Sequence, residues 1–212
     1  MNQFRHEIHN FPSKLSQEFL EKIFILNQEN PPEVGSLSSI EYLRQLIQLS
    51  SYQFYVEKDN EIKGFIICFR EKSSYDSPNY KFFSNTESKF LYIDRIAIKD
   101  SFRRQGIGKS FYELIEKVAI TKEIPLCCEV NTNPENLISI KFHENFGFKK
   151  IGNREYMSII QFSTSSKVTI TPKLGIVTKA RSASINIVWW SKILLFTSCS
   201  SRCHSCISIS IN

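Results

Sequence analysis

Residues Leu91 to Lys122 constrain the fold more than any other stretch: LYIDRIAIKDSFRRQGIGKSFYELIEKVAITK. Leu91 to Ile98 is apolar and rich in β-branched residues, and the turn formers Lys99-Asp100-Ser101 follow it, so it reads as a strand. Arg103-Arg104-Gln105-Gly106-Ile107-Gly108 then opens a helix, because Ile107, Phe111, Leu114, Ile115, Val118 and Ala119 keep the three-four spacing of one apolar helix face. Pro125 leads into a second apolar run, Leu126 to Val130. A strand, a helix and a strand in succession make a right-handed crossover, which sets the two strands parallel.

The loop between strand and helix has chemistry of its own. Glycines let a backbone approach a ligand with no Cβ in the way. The first amides of a helix lack internal partners, and with arginines beside them they form a seat for phosphate. The loop is not the dinucleotide fingerprint, because Phe111 stands where a third glycine belongs. Nor is it a P-loop, since no Gly-Lys-Ser/Thr follows at the required distance. The plain alternative is a glycine-containing turn with no ligand.

Arg103-x-x-Gly106-x-Gly108 after a strand resembles the acetyl-CoA loop of the GNAT N-acetyltransferases. A second block, Asn136-Leu137-Ile138-Ser139-Ile140-Lys141-Phe142-His143-Glu144-Asn145-Phe146-Gly147-Phe148, is similar to that family's later helix, N-x-x-A-x-x-x-Y-x-x-x-G-F. Ser139 stands for its usual Ala and His143 for its usual Tyr. Tyr92-Ile93-Asp94-Arg95 and Cys128-Glu129-Val130-Asn131 are similar to a bacterial branch with largely unassigned substrates.

The resemblance implies an α/β (α+β) GNAT fold: a mixed, mostly antiparallel central sheet, helices on both faces, and two parallel strands that splay apart. It implies transfer of an acetyl group from acetyl-CoA, the cosubstrate, to a primary amine by direct attack in a ternary complex. The pantetheine arm would lie in the gap, paired with backbone at Ile96, Ala97 and Ile98, and hydrogen-bonded by Asn136. The diphosphate would sit on Arg103, Arg104, Gln105, Gly106, Ile107, Gly108 and Lys109. His143, by its match to the family's Tyr, is expected to protonate the departing thiolate. Asp94 and Glu129 are the candidate bases for the amine, whose own pKa near ~10.4 keeps it charged at neutral pH. The competing expectation is a module of the same fold that holds acyl-CoA without turnover. No metal is expected.

Elsewhere the pattern is of short amphipathic elements. Phe4 to Ile8 alternates as a first strand; Ser13 or Ser16 caps a helix reaching Asn27, ended by Pro31-Pro32; a second helix runs from Ser39 to Ser50. Gln53 to Glu57 and Ile62 to Arg70 form a hairpin closed by Asp59-Asn60. Ser73 to Ser88 reads as a surface loop packed on itself, with a functional role as the alternative because it is long for a connection inside a compact domain. Asn133 and Pro134 start the helix of the second block, and Phe148 to Ile151, Glu155 to Phe162 and Lys167 to Ile170 are closing strands.

The net charge of +6 belongs mostly to the end of the chain. From Thr171 onward there is no Asp or Glu, while Lys173, Lys179, Arg181, Lys192 and Arg202 are basic. The acetyltransferase domain is therefore assigned to 1–171 and a basic, Ser-rich, poorly ordered extension outside the family to 172–212. No nucleic-acid partner is expected, and no membrane partner for the main domain: Ile185 to Phe196 is too short to span a bilayer. Cys199, Cys203, His204 and Cys206 lack the second ligand pair of a zinc site. The polar start of the chain and the buried-type thiols Cys68, Cys127 and Cys128 suggest a cytoplasmic protein. The acceptor amine and the oligomeric state are not encoded legibly.

Overall fold

The computed structural model describes residues 6–132, 135–154, 157–162, 170–171 and 176–177. Two short helices open the chain after a two-residue strand β1 (His9–Asn10). In α1 (Gln17–Gln28) the Ser16 hydroxyl accepts from the Phe19 amide, and in α2 (Ile40–Leu49) the Ser39 hydroxyl accepts from Tyr42, so each start is closed by its own N-cap. The hairpin follows as β2 (Tyr52–Lys58) and β3 (Glu61–Arg70), and its two turn residues Asp59 and Asn60 both have positive φ. That is the conformation a tight two-residue hairpin requires. β3 is buried continuously from Ile62 to Phe69 because helices cover both its faces.

The segment expected to be a loop contains a third helix, α3 (Pro78–Thr86). Ser77 caps it and Pro78 occupies its first turn. Tyr80 and Phe83 bury themselves against the sheet, and Tyr80 donates its hydroxyl to the Arg70 carbonyl. Next come β4 (Leu91–Ile98), a 3-10 turn at Asp100–Phe102, and α4 (Ile107–Thr121). β5 (Leu126–Asn131), α5 (Leu137–Phe146), β6 (Lys149–Arg154) and β7 (Met157–Phe162) complete the main layer.

The sheet order is β1-β2-β3-β4-β5-β7-β6. Every neighbouring pair is antiparallel except β4 and β5, which are parallel. One core cluster packs α1, α2 and α3 on one face; the other packs α4 and α5 on the opposite face. α5 begins after Asn136, later than the Asn133-Pro134 start read from the sequence, and those two residues lie outside the described part. So do Phe4 and Lys167. Past Phe162 only the two-residue strands β8 (Ile170–Thr171) and β9 (Ile176–Val177) are described; they pair with each other in a separate sheet. The Cys199–Cys206 cluster falls outside the described residues. No described helix is long and apolar enough to cross a membrane.

Candidate active site

The parallel pair β4 and β5 is joined only at Leu91↔Leu126 and Tyr92↔Cys127. Beyond Tyr92 the strands part, which leaves the β5-facing edge of β4 unpaired from Ile93 to Ile98. The resulting cleft holds about 120 Å³ of open space and is lined by Ile93, Asp94, Arg95 and Ile96 on one side and by Cys128, Glu129, Val130 and Asn131 on the other. A bulge on β4 shapes it. Ile93 pairs with Cys68 and Arg95 with Ile67, so Asp94 is the extra residue with no partner across the strand.

At the open end of β4 stands the glycine loop. Gly106 has φ of 93°, a left-handed conformation, and serves as N-cap of α4. α1, α2, α3 and α5 each begin with a side chain that accepts a backbone amide; α4 begins with none and has no acidic residue in its first turn. A Cβ at Gly108 would come within 3.2 Å of the Ile98 side chain, so glycine lets the helix start sit directly on β4. Arg104 and Lys109 are exposed here. Arg103 faces another way: its guanidinium donates to Asn30 Oδ1 (2.8 Å) and the Ile98 carbonyl (3.3 Å), and pairs with Asp100 (3.0 Å). Gln105 donates to the Ser101 carbonyl, and its own carbonyl meets the His6 ring. Ala97 is buried and Ile96 lines the cleft.

The two faces of the cleft carry different chemistry. On the α4–α5 face, His143 is buried, with its Nδ1 2.7 Å from the Ser139 carbonyl and its Nε2 2.6 Å from the Tyr112 hydroxyl. A carbonyl only accepts, so Nδ1 carries the ring proton and Nε2 accepts from Tyr112. Burial pushes the His143 pKa down to about 4, so the ring is neutral. The expected acid is therefore seated as an acceptor: burial disfavours the imidazolium that would have to give the proton up. Tyr112, fully buried beside Cys128, brings the polar hydrogen on this face, and burial pushes its own pKa well up. Asn136 lines the cleft while its Oδ1 caps α5 through the Ser139 amide (2.9 Å).

On the α1–α3 face lie the two carboxylates. Asp94 accepts from the Tyr75 hydroxyl (2.7 Å) and from Arg95 Nε (2.7 Å); Arg95 also donates to Asn27 Oδ1 (2.9 Å). Glu129 Oε1 accepts from the Tyr92 hydroxyl (2.6 Å) and Asn79 Nδ2 (2.9 Å). Glu129 Oε2 is shut off from solvent and has no hydrogen-bond partner, the sole side-chain atom of this kind among the described residues. Burial pushes the Glu129 pKa up to about 8, aided by nearby Asp94 and opposed by the Tyr92 and Asn79 donors. It is a carboxyl poised to exchange a proton near neutral pH.

Sequence reasoning named Asp94, Glu129, His143 and Asn136, and all four line one cleft. It gave no site role to Tyr75, Asn79, Tyr92 and Tyr112, which supply the hydrogen bonds. Ser77-Pro78 was the available signal for the helix that carries Asn79. Tyr112 sits one residue after Phe111 of the apolar face, and nothing local marks its partner 31 positions away.

The sequence model of the Acetyltransferase (GNAT) family matches residues 20–148. Against curated protein sequences the chain finds no match. Solved structures share the fold. The ribosomal-protein-S18-alanine N-acetyltransferase from Escherichia coli is 15% identical with a TM-score of 0.55, covering 81% of this chain and 99% of that one. Ard1 from Thermoplasma volcanium is 16% identical with a TM-score of 0.55, covering 75% of this chain and 97% of that one. Arabidopsis thaliana Naa50, in complex with the bisubstrate analogue CoA-Ac-MVNAL, is 17% identical with a TM-score of 0.54, covering 74% and 97%. At these identities the likeness is one of fold.

Proposed function

Because the chain belongs to the Acetyltransferase (GNAT) family, its model matching more than half of the sequence, we propose that it transfers an acetyl group from acetyl-CoA to a primary amine in a ternary complex. The observation that carries this reading is the cleft between β4 and β5, with a carboxyl of raised pKa on one face and a Tyr-His pair on the other. The backbone of Arg103 to Lys109, opened by Gly106, takes the diphosphate on the uncapped amides of α4. Arg104 and Lys109 add charge there, while Arg103 positions the loop from beneath through Asn30. The pantetheine arm pairs with the unpaired edge of β4 at Ile96 to Ile98, and Asn136 hydrogen-bonds it from α5.

The amine approaches from the α1–α3 face. Glu129 takes its proton, directly or through one water, and Asp94 shapes the same wall while held by Tyr75 and Arg95. The neutral nitrogen attacks the thioester carbon, a C–N bond forms, the C–S bond breaks with its electron pair leaving on sulfur, and the proton still in excess on the nitrogen passes to that thiolate or to water. The oxyanion is met by a β4 amide near Ile96. The thiolate departs on the Tyr112 face, where His143 acts by holding the hydroxyl rather than as the acid itself. A thiolate needs little protonation to leave, so positioning of amine and carbonyl, worth roughly 7–11 kcal/mol in well-oriented pairs, does most of the catalysis.

The test is release of CoA thiol from acetyl-CoA across a screen of primary amines, with calorimetric titration of acetyl-CoA in parallel. Amine-dependent release supports the reading. Failure of both CoA and acetyl-CoA to bind removes it.

A further inference from the structure

We propose that His6 is a positioning residue for the cofactor: it sets the plane of the peptide between Gln105 and Gly106, and through it the amide offered to the diphosphate of CoA. The inference rests on the acyl-transfer reading above and adds a residue to its cofactor seat.

His6 Nε2 lies 2.9 Å from the Gln105 carbonyl oxygen, 99 positions along the chain. A carbonyl only accepts, so Nε2 carries a proton and donates it. The placement of His6 is built from β1. Ile98, at the end of β4, pairs with Gly64, Gly64 with Val56, and Tyr55 beside it with His9, so the chain ahead of β1 runs to the end of the sheet where β4 gives way to the loop. The His9 ring lies 5.4 Å from that of Tyr55, and Ile8 packs into the same apolar cluster as Ile107 and Phe111 of α4. Two residues before Ile8, His6 reaches the turn from which α4 starts.

The bond acts on one particular peptide. In a trans peptide the carbonyl and the amide that follows it point in opposite directions. A donor that fixes the Gln105 carbonyl therefore fixes the Gly106 N–H on the other side. The first backbone bond of α4 runs from the Ser110 amide to the Gly106 carbonyl, so the Ile107, Gly108 and Lys109 amides precede the helical ladder, and the Gly106 amide heads that row. Gly106 is also where the row is easiest to lose, because a glycine at φ of 93° has other conformations open to it. The Gln105 side chain donates to the Ser101 carbonyl and Arg103 donates to Asn30. Those two bonds anchor side chains of the loop, whereas the His6 bond anchors the backbone of the turn itself. It also polarises the peptide group, which strengthens the N–H towards an anion.

The experiment is calorimetric titration of CoA into the full chain and its His6→Phe and His6→Gln variants, with kinetics on acetyl-CoA and an accepted amine alongside. Phenylalanine keeps a ring without a donor, and glutamine keeps an N–H donor without the ring. The expected result is that His6→Phe raises Kd for CoA and KM for acetyl-CoA about three- to tenfold, the range of one net hydrogen bond, with kcat within twofold of wild type. His6→Gln should recover at least half of that loss on a logarithmic scale. A His6→Phe chain that binds CoA as wild type does, or a His6→Gln chain that loses as much as His6→Phe, overturns the inference and leaves acetyl transfer standing. A fall in kcat as large as the rise in KM also overturns it, because the effect is then not confined to the cofactor seat. Failure of the wild-type chain to bind CoA overturns the acyl-transfer reading beneath it.

Discussion

Asn79 Nδ2 donates to Glu129 Oε1 at 2.9 Å, joining α3 to β5 across 50 positions of the chain. The helix between β3 and β4 is thereby part of the candidate site. It holds one carboxyl oxygen and leaves the other unpartnered.

The first prediction concerns rate against pH. Glu129, with its pKa pushed up to about 8, must lose its proton, or the amine must, for one to be transferred between them. Below pH 8, kcat/KM should rise about tenfold per pH unit, then level off until the amine itself titrates near ~10.4. Glu129→Gln should lower kcat/KM by about 100-fold at pH 8 and remove the break near 8, leaving only the amine's own titration. An unchanged profile in the variant would remove Glu129 from the proton path.

Stability should carry two opposing pH slopes. The His143 pKa falls from 6.5 to about 4 on folding, so the unfolded chain binds more protons between those values and stability is lost as pH falls through that window. The loss amounts to roughly 3 kcal/mol below pH 4. The Glu129 pKa rises from 4.5 to about 8, so here the folded chain keeps the proton and stability is lost as pH climbs from 4.5 to 8, by ~4 kcal/mol. Thermal melts should therefore peak between pH 5 and 6 as an order-of-magnitude expectation. Glu129→Gln should melt above wild type at pH 8.5 and close to it at pH 5.

His143 and Tyr112 offer a separable pair. Tyr112→Phe leaves Nε2 of His143 without its donor and removes the hydroxyl; His143→Phe leaves the buried hydroxyl without its acceptor. Each should cost about 1–3 kcal/mol of stability. Each should lower kcat about three- to tenfold with KM for acetyl-CoA little changed, the signature of a group that acts in the transition state. A proton-donor role for His143 predicts more: an extra pH break in kcat that Tyr112→Phe retains and His143→Phe loses.

Gly106→Ala tests the diphosphate seat. Alanine at φ of 93° is strained by roughly 1–2 kcal/mol. The variant should melt lower and raise KM for acetyl-CoA at least tenfold, with kcat for saturated enzyme less affected. Gly106→Asn, which tolerates the left-handed region better, should recover part of both losses.

Much of the frame was legible from residue order. Leu91–Ile98 and the helix opened by Gly106 were marked by a change of apolar period, and Asp59-Asn60 by turn chemistry. Of the site, Asp94, Glu129, His143 and Asn136 were reachable through the two blocks that resemble a family. Their states were not. Whether His143 gives or accepts a proton depends on the Ser139 carbonyl one turn behind it and on Tyr112 from another helix. Whether Arg103 reaches outward depends on Asn30, 73 positions away. α3 was passed over because its nine residues start polar, and burial of Tyr80 and Phe83 rather than helix propensity fixes it.

The bond from Asn131 to the Pro32 carbonyl fastens the connection between α1 and α2 to the rim of β5; Arg103 holds Asn30 two residues before it, and the Gln28 amide holds both backbone groups of Leu37 toward its other end. An aperture pinned on both sides sieves by width rather than by swinging shut. Acceptors should accordingly be ranked by the girth of the chain behind the nitrogen, and cutting the tether with Asn131→Ala should admit bulkier ones.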